Sequence, residues 1–156
     1  MDILKTAIII FAGICAAHLS PAARAAGTAQ ESITITAPWT RATPPGARAA
    51  SGYMTLTNTG AHSDTLLQVN TPAASMTHIH QMSMQGGVMV MRPIDGNMTL
   101  EPGQTITLQP GALHIMMVNL TRPLVEGEMI TLTLEFEKAG TLLVELPVLA
   151  IGATGP

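Results

Sequence analysis

Cysteine occurs once in these 156 residues, at position 15, and aromatic side chains make up only 3% of the chain. Cys15 lies within the apolar run Ala7–Ala17, behind Ile14 rather than the small residue a lipoprotein cleavage site requires. Lys5 precedes the run, and a small-residue segment ending in Ala23-Arg24-Ala25 follows it. This is the layout of a secretory signal, expected to be cleaved from residues 1–25. The run is shorter than the roughly 20 apolar residues that span a bilayer, which argues against a permanent anchor. With Cys15 removed, the remaining chain has no thiol, and disulfide stapling, thiolate zinc sites and thioredoxin-like redox chemistry are excluded.

Charge is equally sparse, at 11% of residues. After position 25 the chain keeps five basic and nine acidic side chains, a net charge of −4, with no basic cluster. A nucleic-acid partner or an anionic membrane surface therefore has no electrostatic support. With so few aromatics, aliphatic residues and methionine must fill the core. No linker or composition break divides residues 26–149, which are read as one domain. The closing "AIGATGP", residues 150–156, is expected to fray.

What the sequence does have is strand spacing. "SITITA", "ASGYMTLTN", "DTLLQVN", "SMTHIHQMSM", "VMVMRPI", "QTITLQP", "LHIMMVNL", "EMITLTLEFEK" and "TLLVELPVL" are short and rich in Val, Ile, Thr and Leu. Turn chemistry separates them: "TPPGA", "NTGAHSD", "QGG", "DGN", "EPGQ", "PGA", "VEGE" and "KAG". No helical apolar stripe competes. Seven to nine strands predict an all-β sandwich or Greek-key barrel.

Two histidines and five methionines crowd into "MTHIHQMSMQGGVMVM", residues 76–91. Met76, His78, His80, Met82 and Met84 precede the glycines on a beat of two, and Met89 and Met91 follow them. A two-residue hairpin loop puts His80, Met82, Met89 and Met91 on one face. His80 faces Met91 if the loop is Gln85-Gly86, and Met82 faces Met91 if it is Gly86-Gly87. A three-residue loop would separate the two arms' sulfurs onto opposite faces. Further on, "LHIMM" places His114 and Met116 on one side of another strand, about 7 Å apart. Imidazole nitrogen with thioether sulfur, lacking carboxylate and thiolate, is a soft donor set that favours Cu(I) and suits Zn, Ca or Mg poorly.

Other readings compete. Taken singly, each methionine is most simply a flexible core filler, which would make this a secreted β-sandwich interaction module that binds no metal. His62, in "TGAHSD", reads as a solvated loop residue, and His78 as structural or surface. An electron-transfer cupredoxin needs a cysteine thiolate that is absent. A hydrolase built on Ser51, His62, Ser63 and Asp64 has no nucleophile elbow, so no enzymatic activity is expected.

The spacing from His80 through ten residues to Met91, then "HIM" with His114 and Met116, resembles the motif of the periplasmic copper chaperone family PCu(A)C. In that motif about twenty-one residues separate the methionine from His-x-Met; here there are twenty-two, and "IDGNMTLEPGQ" is a loop that can absorb the extra one. The resemblance extends over "APWTRATPPGARAASGYMTLTN", "GGVMVMRP", "LQPGALHIMM" and "RPLVEGEMITLTLEFEKAGTLLVELPV". It implies a cupredoxin-like β-barrel in the periplasm that binds Cu(I) through His80, Met91, His114 and Met116. It also implies delivery to the binuclear copper site of cytochrome c oxidase, directly or alongside Sco-type partners. Trp39, Arg41, Tyr53 and Asn58 match positions of the family pattern and are assigned to scaffold or partner contact. The His- and Met-rich tail that gives some members a second copper site has no counterpart in "AIGATGP".

Overall fold

The alternation read from the sequence becomes ten strands in a computed structural model that describes residues 32–94 and 97–156. The expected signal over residues 1–25, with Cys15, lies outside the described residues. The strands are β1 (Ile33–Arg41), β2 (Ala49–Asn58), β3 (Asp64–Asn70), β4 (Ala74–Gln85) and β5 (Val88–Pro93), then β6 (Met98–Leu100), β7 (Thr105–Leu108), β8 (Leu113–Leu120), β9 (Met129–Phe136) and β10 (Gly140–Leu149). Among the described residues no helix is long and apolar enough to cross a membrane.

One layer runs β5-β4-β8-β2-β1, with β7 pairing farther along β2, and the other runs β10-β9-β3-β6. The chain crosses repeatedly between them, as a Greek-key topology requires, and β1 joins β10 in parallel at Thr40↔Val148 and Arg41↔Leu149. On the opposite side Thr77 Oγ1 donates to the Val69 carbonyl, tying β4 to β3. Leu56, Leu100, Ile115, Met117, Leu132, Leu134 and Leu146 fill the space between the layers. The layers approach closely at Gly52, where an added Cβ would lie 3.2 Å from Leu146 Cδ2.

Three local features differ from the sequence reading. β1 continues past Ala37 to Arg41, because a bulge at Ala37 (φ 47°) takes up one residue between the Thr36↔Thr55 and Trp39↔Tyr53 pairs. A bulge is one of the few ways a strand tolerates a proline such as Pro38. β6 lies inside the segment read as loop; its three residues pair with β3 because Met98 and Leu100 are both needed in the core. The terminal segment is tied down, since Arg41 Nε donates to the Ala153 carbonyl at 2.6 Å.

Candidate metal centre

The β4–β5 hairpin turns on Gly86 and Gly87, with φ of 58° and 82°. Two consecutive positive φ values define the primed turn whose twist matches a two-residue hairpin, and glycine takes them without steric cost. The register that follows is Met82↔Met91, Ser83↔Val90 and Met84↔Met89, with His80 opposite Pro93. Of the two loops open from sequence, Gly86-Gly87 is the one present. Met91 therefore sits two residue pairs nearer to His80 than Met89 does.

On its other edge β4 pairs with β8: His78↔Met116 and His80↔His114. Directly opposed residues project from the same face of a sheet, so His78, His80, Met82, Met84, Met89, Met91, His114 and Met116 all share the outer face. The His80 and His114 ring centroids lie 5.9 Å apart, and those of His78 and His80 6.2 Å apart. Met116 packs its sulfur 3.9 Å from Ser51 Oγ on β2, which donates to it. Met91 is 45% exposed, on the edge strand.

The imidazoles differ in their surroundings. His114 is only 3% exposed, and its Nδ1 lies 3.0 Å from the Ala112 carbonyl. A carbonyl only accepts, so Nδ1 carries the proton and Nε2 is left with its lone pair, the arrangement of a metal-binding histidine oriented by its backbone. His80 Nδ1 is buried and has no hydrogen-bond partner. A shielded ring nitrogen without a partner is costly unless a ligand completes it. Burial, foremost, and the neighbouring His114 and His78 hold the His80 pKa below the ordinary imidazole value of 6.5, favouring the neutral, coordinating form. Among the described residues no three His, Cys, Asp or Glu side chains form a metal site by themselves. Any site on this face must be completed by sulfur.

The methionines separate by strand face. Met54, Met98 and Met117 are core, Met129 is exposed at the start of β9, and Met76, Met82, Met84, Met89, Met91 and Met116 lie on the outer face with the histidines. Core filling thus accounts for three of them and leaves the outer six unexplained. The hydrolase set is dispersed: Ser51 serves Met116, and buried Asp64 accepts from the backbone N–H groups of Thr65, Lys138 and Ala139 at 2.7–2.9 Å. His62 is exposed, in keeping with a loop residue. Asn58, fully buried, donates to the His62 and Leu100 carbonyls and accepts from Gly60 N, a scaffold role. Sequence reasoning missed the Ala112 carbonyl, because backbone direction within "PGA" depends on the turn.

Known proteins share this fold. The model of a family described as "Putative lipoprotein LpqE-like" matches residues 33–148. "Putative lipoprotein Lxx21020" of Leifsonia xyli subsp. xyli is 31% identical over 134 residues, 86% of this chain and 80% of its own length. The apo PCuAC domain of PmoF2 superposes with a TM-score of 0.67 at 26% identity, over 80% of this chain and 95% of that domain. The solution structure of CuI-DR1885 from Deinococcus radiodurans gives 0.56 at 32% identity, over 83% and 86%. The expected cupredoxin-like β-fold is the one observed, and this chain belongs to the LpqE-like family, on a PCuAC-type domain.

Proposed function

We propose that this protein is a periplasmic copper chaperone that carries one Cu(I) between His80, Met91, His114 and Met116. The observation that carries the proposal is the His80↔His114 cross-strand pair, with Nε2 of His114 left free by the Ala112 carbonyl and thioethers on the same face. Structural relatives support copper as the cargo, since a PCuAC domain of PmoF2 is copper-bound and DR1885 carries CuI. The lipoprotein names of the matching family and relative support export.

Neutral donors suit a monovalent soft ion, and thioethers stay unprotonated at every pH. Release follows from placement. Met91 stands half-exposed on the edge strand while His114 is buried, so an acceptor's donor groups displace the outer sulfur first and the inner imidazole last. Stepwise exchange of this kind needs no free copper ion. The proposed acceptor is the binuclear copper site of cytochrome c oxidase, reached directly or with Sco-type partners.

Titration with Cu(I) against a chromophoric chelator tests the site. One tight equivalent is expected, with two nitrogen and two sulfur neighbours in X-ray absorption. No competition with the chelator would refute the site. Mixing the Cu(I)-loaded protein with the soluble copper domain of the oxidase, then separating the two, tests delivery; copper that stays on the chaperone would refute it.

A further inference from the structure

Beyond the four residues proposed above, the outer face carries three more thioethers at the tip of the β4–β5 hairpin. Met84 and Met89 are directly opposed, one residue pair before the glycine turn closes, and Met82 sits next to Met84 on that face, opposite Met91. The reverse face of the hairpin, formed by Gln81, Ser83, Gln85, Val88, Val90 and Arg92, has no methionine. Packing does not explain the segregation, because Met84 is 62% and Met89 53% exposed. An exposed strand position gains little from a large apolar side chain, whereas β-branched residues are the ordinary choice there.

We propose that Met82, Met84 and Met89 form a second, thioether-only site for a soft monovalent ion, Cu(I) or Ag(I), at the hairpin tip. Directly opposed Cβ atoms lie about 4.5–5.5 Å apart. Each thioether hangs on three rotatable bonds, so the Met84 and Met89 sulfurs can close on one ion while Met82 reaches it from the inner side. Three neutral sulfurs without nitrogen, carboxylate or thiolate select soft metals. The Gly86-Gly87 turn sets the register that brings the three together. Exposure and lack of charge make the tip site weaker than the mixed site and quick to exchange. It needs neither His80 nor His114, so it stands apart from the reading of the inner site. With Met91 opposite Met82, it borders that site, and an ion can pass between them by exchange of sulfur ligands without change of oxidation state.

Ag(I) titration of protein labelled with 13C at the methionine methyls tests the proposal. Two phases are expected in the parent: the first moves the Met91 and Met116 methyls, and the second moves Met84 and Met89. The Met84→Leu/Met89→Leu variant should lose the second phase and keep the first, with its melting unchanged. The His114→Ala/Met116→Leu variant should lose the first phase and still shift Met84 and Met89. Methyls of Met84 and Met89 that stay unmoved by excess Ag(I) in both the parent and the His114→Ala/Met116→Leu variant would overturn the tip site. Loss of the first phase alone bears on the inner site. A parent and Met84→Leu/Met89→Leu variant of equal silver stoichiometry would also overturn the proposal, leaving the patch as a protein-docking surface.

Discussion

His80 and His114 face each other across β4 and β8, their ring centroids 5.9 Å apart, with the His114 proton held on Nδ1 by the Ala112 carbonyl. Of the two, His80 is held toward its neutral form. Burial and the two neighbouring imidazoles lower the His80 pKa from 6.5, so protons compete for His80 only at a pH below the ordinary histidine range.

The same depression makes apo stability depend on pH. An unfolded His80 takes up its proton near pH 6.5, while the folded one does so only at lower pH. Between those values the unfolded state holds more protons, so stability falls as pH drops through the window, and the loss is complete below the folded pKa. Urea midpoints of the apo protein measured from pH 7.5 downward should decline. His80→Gln should remove part of that slope, and an identical slope in the variant would count against the assignment.

Adjacent residues 116 and 117 should behave in opposite ways. Met117 is fully buried between the layers, and Met117→Ala should cost about 2–5 kcal/mol of stability while leaving the one tight Cu(I) equivalent in place. Met116 lies on the outer face beside Ser51. Met116→Leu keeps its volume and should change stability by less than about 1.5 kcal/mol, yet lower Cu(I) affinity by on the order of 100-fold. Thermal melts and chelator competition on the two variants decide it, and a Met116→Leu protein that melts early but binds normally would make residue 116 a packing residue.

Much of this was legible from periodicity alone. The beat of two in "MTHIHQMSM" and "HIMM" fixed which side chains share a face, because the strand period leaves no other choice once one face is buried. The partner of Met91 was not legible, since a one-residue shift in the position of the two-residue loop decides between His80 and Met82, and only backbone φ at Gly86 and Gly87 settles the turn. β6 escaped because three residues are too few to show alternation. The extension of β1 escaped because a proline and a positive φ at Ala37 break the local signal while the tertiary pairing of Trp39 with Tyr53 continues it.

Asp64 illustrates a polar residue whose role is architectural. Its carboxylate is buried and accepts three backbone N–H groups where β3 meets the β9–β10 turn. In Asp64→Asn the amide NH2 replaces one acceptor with a donor aimed at those N–H groups. The expected loss is about 1.5–3 kcal/mol, the range for hydrogen bonds to a charged group, with Cu(I) affinity unchanged. Chemical denaturation beside chelator competition separates the two effects, and lost copper binding in a folded variant would contradict this role.

Arg41 clamps the end of the chain. Its guanidinium lies 5.5 Å from the ring centroids of both Trp39 and Tyr53, which are themselves 4.5 Å apart, and its Nε holds the Ala153 carbonyl. A cation over an aromatic face at a partly exposed site contributes about 0.5–1 kcal/mol. Arg41→Ala should therefore lower stability modestly, but its larger effect should be local. With the carbonyl released, residues 150–156 lose their tether and water reaches the indole. Trp39 is the only tryptophan, so its emission reports this directly: a red shift is expected, with faster proteolysis of the terminal segment. Arg41→Lys keeps the charge without the planar stacking surface or the Nε donor, and should fall between the two. Unchanged emission and unchanged proteolysis in Arg41→Ala would show that the tail is held by other contacts.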